Sequence, residues 1–122
     1  MGHKYEPLVL AQLLPQLAEE IARRLAEDAE GAEFAPQVPT LRILSRCGCK
    51  EPGCASFTTG ARRSGKHPTP VRTIALFSTR RGMSDIIIDV VEGKIVNVEI
   101  LDRTDIAAVL DEAFAKLRAG TA

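Results

Sequence analysis

Residues 85–101 read DIIIDVVEGKIVNVEIL, two runs rich in β-branched side chains separated by Glu92 and Gly93. Runs of this composition favour extended backbone, and a two-residue break ending in glycine is a tight-hairpin signal. Counted outward from that turn, Ile86, Ile88 and Val90 share a face with Asn97 and Glu99. Matching the most apolar faces instead requires a one-residue shift. A β-bulge resolves the conflict, as does a sheet partly covered on both sides. Ile87 and Val91 are apolar as well as Ile88 and Val90, so both faces of these strands carry apolar side chains.

Working backwards, LRILSR, ASFTT and VRTIALFST have the same character and are separated by glycine, proline and charge, which brings the expected strands to five. Further upstream, Leu10, Leu13, Leu14, Leu17, Ile21 and Leu25 follow the spacing of one helix face, with Ala18 and Ala22 between them. Pro15 is compatible only with a first helical turn, so the helix begins near residues 12–14 or residues 8–13 form a separate or kinked piece. EFAPQVPT, with its two prolines, reads as a surface linker. Beyond the hairpin, Ile106, Val109, Leu110, Ala113, Phe114 and Leu117 make a second helix face, which Asp102 or Thr104 can cap. The order α-β-β-β-β-β-α predicts an α+β fold, a mostly antiparallel five-stranded sheet with the N-terminal and C-terminal helices packed on it. One domain over residues 1–122 is expected: a helix at about 8–30, a linker at 31–40, the sheet at 41–101 and a helix at about 104–119. In a simple meander the cysteine loop and TRRGMS fall at one end of the sheet, and ARRSGKHPTP and the EGK turn at the other.

A chain of 122 residues hides roughly two-thirds of its unfolded surface without help from a metal. Its composition, 45% hydrophobic and 26% charged, is that of a globular domain. No apolar run is long enough to cross a membrane, and the first residues lack the pattern of a secretory signal. With an odd number of cysteines, this favours a cytoplasmic setting. The net charge of zero hides an uneven distribution: −4 over residues 1–40, +8 over 41–84 and −4 over 85–122. The expectation is that acidic helices fold back over a basic sheet and cancel it.

RCGCKEPGCASF, residues 46–57, gathers all three cysteines into one glycine-rich loop. Cys47, Cys49 and Cys54 supply sulfur ligands in the spacing C-x-C-x4-C, whereas a tetrahedral structural zinc site needs four ligands. The fourth would come from His67, His3, Glu51 or a second chain, and the meander sets His67 at the far end. The other readings are a tight turn with cysteines packed beneath it as small apolar groups, and a redox pair whose thiols are activated by Arg46, Lys50 or Arg80. A zinc-supported module presenting a basic surface to an anionic partner is the alternative to an unassisted fold. It predicts stoichiometric zinc in native mass spectra.

GARRSGKH, residues 60–67, begins like a phosphate-binding loop, but His67 replaces the magnesium-coordinating hydroxyl and PTP follows where a helix should start. Arg62, Arg63 and Lys66 in this loop, with Arg80 and Arg81 in TRRGMS, are candidates for contact with an anion or a partner. An aromatic content of 4% leaves few stacking platforms and disfavours sequence-specific nucleic-acid recognition. No residue set meets the geometric roles of a catalytic site, so no enzyme activity and no cofactor are expected. Asp85, Asp89, Glu92 and Glu99 alternate along the last hairpin as a solvated face, or pair with Arg42 and Arg72.

LRILSRCGCKEPGCASFTT combined with IIIDVVEGKIVNVEILDRTDI resembles small uncharacterised bacterial proteins, often from high-GC organisms. In these a cysteine-rich loop followed by Ser-Phe precedes a hairpin and a short C-terminal helix. The resemblance covers about residues 40–110 and implies an α+β domain without an assigned activity. GKIVNVEILD is also similar to the close of another group of short bacterial domains. With a complete fold signal and no complete reaction site, the expected role is that of a noncatalytic protein-interaction domain, a homodimer or a partner of another protein.

Overall fold

A computed structural model describes residues 8–46, 54–60, 70–77, 85–101 and 103–120, with 118–120 described through their backbone alone. In chain order the elements are β1 (Leu8–Val9), α1 (Leu10–Leu13), α2 (Pro15–Glu27), a 3-10 helix (Ala32–Thr40), β2 (Arg42–Ile43), β3 (Ser45–Arg46), β4 (Phe57–Thr58), β5 (Val71–Leu76), β6 (Ile86–Val91), β7 (Lys94–Ile100) and α3 (Thr104–Gly120). The fold is α+β. Its main sheet has five antiparallel strands in the order β3-β4-β7-β6-β5, and β1 pairs with β2 in a separate two-stranded sheet.

The hairpin conflict is resolved by a bulge. Val91 pairs with Lys94 and Val90 with Ile95, but Asp89 then pairs with Asn97, so Val96 is the extra residue and the register moves by one. Ile88 now faces Val98 and Ile86 faces Ile100, all in the core. The turn residues Glu92 (φ 51°) and Gly93 (φ 79°) both lie in the left-handed region, the geometry whose twist suits a two-residue hairpin.

The strand order is not a simple meander. β7 sits at the centre, with β4 on its free side, while β5 goes to the far edge. The burial of the strands accounts for this. Ile95, Val96, Val98 and Ile100 leave β7 apolar on both faces, so an edge position would expose it, whereas β5 has three exposed residues at its start. β5, β6 and β7 with β4 beside β7 form a Greek key. The strands still alternate in direction, so the chain leaves β4 and enters β5 at the end where the β6–β7 turn lies.

LRILSR does not form one strand. The chain breaks at Leu44, pairing with β1 before it and with β4 after it. Near the N-terminus, the non-helical Leu14 (φ −133°, ψ 69°) separates α1 from α2, and Pro15 takes the first position of α2, where its missing N–H costs nothing. Leu17, Ala18, Ile21 and Leu25 are the buried face of α2. Asp28 Oδ2 then accepts from the N–H groups of Glu30 (2.9 Å) and Gly31 (2.8 Å) and turns the chain. Gly31 lets the chain pass close to the helix: a Cβ there would stand 2.8 Å from Leu25 Cδ2, so a larger residue requires that side chain to shift.

EFAPQVPT is not a surface linker. Its residues belong to the 3-10 helix, and Phe34 and Val38 are core side chains. α3 buries Ile106, Ala107, Leu110 and Ala113, while Val109, expected inside, is exposed. Arg103 O accepts the first helical bond, from Ala107 N (3.0 Å); Thr104 is the first helical residue and Asp102 lies outside the described residues. Asp105 accepts hydrogen bonds from Arg103, which hold its carboxyl below the usual carboxylate range. α2, the 3-10 helix, the sheet and α3 meet in one contiguous core.

Candidate interaction surface

Cys47 and Cys49 lie outside the described residues, as do Arg62, Arg63, Lys66, Arg80 and Arg81. Cys54 is buried. Among the described residues no group of His, Cys, Asp and Glu is assembled to hold a metal. What fixes the far limb of the cysteine loop is Arg46. Its Nη1 donates to the carbonyls of Cys54 (3.0 Å) and Ser56 (3.2 Å), and its Nε and Nη2 lie 3.0 and 2.9 Å from Asp111 of α3. The limb then docks on β7: Ala55 N donates to Ile100 O (2.8 Å), and Ser56 Oγ accepts from Ile100 N (2.9 Å). Arg46 is therefore committed inside the fold and is not a cation presented to a partner.

Ion pairs between segments of opposite charge run as expected for two of the three described basic residues of the middle segment. Arg46 meets Asp111, and Arg72 lies 3.9 Å from Glu33 and over the Phe34 ring, 5.5 Å from its centroid. Arg42 lines an open groove of about 790 Å³ with Leu44, Lys94 and Val96. Gln37 closes one side of that groove by acting as a strand would: Nε2 donates to Gly93 O (2.6 Å) and Oε1 accepts from Ile95 N (3.0 Å). β4 is too short to reach Ile95, so this side chain and Thr59 Oγ1, 2.8 Å from Ile95 O, complete the ladder.

Both helices lie on one face of the sheet, that of Phe57, Ile74, Ile88 and Val98. The opposite face carries a polar row across all the strands: Ser45, Thr58, Asn97, Asp89 and Thr73 occupy successive partnered positions. Ser45 Oγ and Thr58 Oγ1 are 2.6 Å apart. Asp89 accepts from Thr73 Oγ1 (2.9 Å) and Asn97 Nδ2 (3.2 Å) and is nearly buried. It is thus not a solvated acid. Beyond the row, alternation along β5 and β7 sets Phe77, Leu101 and Val71 on this same face, 73%, 49% and 43% exposed, with half-buried Ile87 among them.

The sequence reading found the apolar second face of the hairpin but did not single out Phe77 or Leu101, although both lie within the runs VRTIALFST and KIVNVEIL. Period-two alternation carried one step past each strand marks both. No helix among the described residues is long and apolar enough to cross a membrane. Comparison with protein-family models, curated proteins and solved structures gives no match to this chain.

Proposed function

We propose that the chain is a noncatalytic protein-interaction domain that associates with a second copy of itself. The observation that carries this reading is Phe77, a large aromatic side chain 73% exposed at the same end of the sheet as the exposed Leu101, with Val71 exposed at the other end of β5. An aromatic ring buries about 150–250 Å² when covered, and clustered exposed apolar groups mark contact surfaces. Closed two-fold pairing is the commonest way to cover such a patch. Sedimentation velocity on the reduced protein across a micromolar concentration series tests it. A species that moves from monomer to dimer mass is expected; a strict monomer throughout overturns the reading.

A further inference from the structure

The direction of the backbone groups along β5 follows from the hairpin. Val91 and Lys94 flank a two-residue turn and exchange both their hydrogen bonds, so Asp89 and Ile87 also face β7, while Val90, Ile88 and Ile86 face β5. The bulge lies on β7 and leaves this alternation intact. Ala55 N donating to Ile100 O gives the same answer, because Ile100 then faces β4 and its partner Ile86 must face β5. Through the β5–β6 ladder, Arg72, Ile74 and Leu76 turn inward. Val71, Thr73 and Ala75 turn their N–H and C=O groups outward, and Phe77 continues the alternation.

Among the described residues no backbone hydrogen bond reaches that outer edge. Arg24 Nη1 donates to the carbonyl of Leu76 (3.3 Å), at the end of the strand. Edge strands are usually blunted by lysine, proline or a bulge. VRTIAL contains no lysine or proline and pairs without interruption. Its single charge, Arg72, is drawn back toward Phe34 and Glu33.

Resting on the self-association reading, we propose that the partner copy adds to this edge: β5 pairs antiparallel with the partner's β5 about a two-fold axis at Ile74, joining the two sheets into one. The strand is self-complementary in that register. Val71 falls opposite the partner's Phe77 and Thr73 opposite the partner's Ala75, so both exposed apolar side chains of this strand acquire cross-strand neighbours. Arg72 falls opposite the partner's Leu76, so no like charges meet. A slide of two residues leaves Phe77 or Val71 without its counterpart, and a further slide toward the start of β5 sets Arg72 against the partner's Arg72. The axis stands normal to the sheet, which keeps the helices of both copies on one face.

Amide hydrogen exchange by NMR at low and high concentration, with the variant Ala75→Pro, tests the register. A proline on an edge with its N–H side facing out is compatible with the β5–β6 ladder, yet removes one intermolecular donor per copy. The dimer should protect the amides of Thr73 and Ala75, and Ala75→Pro should weaken dimerisation about thirtyfold through its two lost hydrogen bonds. A dimer whose Thr73 and Ala75 amides exchange equally fast at both concentrations overturns the edge pairing and leaves self-association standing. A chain that stays monomeric overturns both. If Ala75→Pro does not fold, exchange in the native chain decides alone.

Discussion

β6 and β5 are neighbours of equal length, paired residue for residue, yet five of the six side chains of β6 are buried and only two of those of β5. β6 is held on both sides, by β5 and by β7, and its register is pinned by a left-handed turn and a bulge. Among the described residues β5 has a strand on one side, and α2 and the 3-10 helix reach it through Arg24 at Leu76 O and through Glu33 and Phe34 at Arg72. The pair shows that stability and availability are divided between adjacent strands. The inner strand supplies the core that makes the sheet stand, and the outer one can offer backbone and apolar side chains to another chain without weakening that core.

The largest expected effect separates the two strands directly. Ile88 is fully buried at the centre of the sheet, and Ile88→Ala should cost about 3–4 kcal/mol through lost burial and the cavity left behind. Val71→Ala should stay within about 0.5 kcal/mol of the parent monomer, as surface substitutions do. Urea denaturation at one low protein concentration measures both, so that dimerisation does not enter. Equal costs would break the comparison, because β5 would then be as integral as β6.

Much of this division was legible in the sequence. The hairpin, its turn and a register conflict that either a bulge or cover on both faces would resolve followed from counting faces outward from Glu92 and Gly93, and Pro15 left a late helix start or a separate first piece as the two choices, of which the structure has the bulge and the separate piece. Strand order was not, since pairing of β4 with β7 joins residues 41 positions apart, as at Phe57 and Val98, and period-two patterning says nothing about which strand lies next to which. The 3-10 helix was misread because Pro36 and Pro39 look like punctuation, although Phe34 and Val38 four residues apart already carried a core signal. Of the candidate site residues, Cys54 alone falls among the described residues, and the Arg46 that holds its carbonyl is paired with Asp111, 65 positions further along the chain. The edge became visible only when the inward and outward directions of the backbone were known.

A smaller effect sharpens the contrast from the hairpin side. Gln37 substitutes for a missing length of strand beside Ile95, with one amide making both a donor and an acceptor contact. Gln37→Ala leaves the partly buried Ile95 N–H without that acceptor and should cost about 1–2 kcal/mol. Exchange of the Ile95 amide should accelerate while that of Ile88 tracks global unfolding. If Ile95 exchanges no faster, the register of β7 is held by the turn and bulge alone, and the 3-10 helix contributes only its buried Phe34 and Val38.

The smallest effect concerns the turn that fixes which backbone groups of β6, and hence of β5, point where. Glu92 occupies a left-handed conformation at φ 51° that its Cβ disfavours, and its side chain is exposed. Asparagine tolerates that region better and is preferred in such turns. Glu92→Asn should therefore stabilise the monomer by about 0.5–1 kcal/mol, read as a rise in thermal midpoint of a few degrees. The sign is the informative part. A loss of stability would mean that the turn is not of the two-residue left-handed type. Val91 and Lys94 would then no longer be the closing pair, and the outward direction assigned to Thr73 and Ala75 would rest on the Ala55–Ile100 hydrogen bond alone.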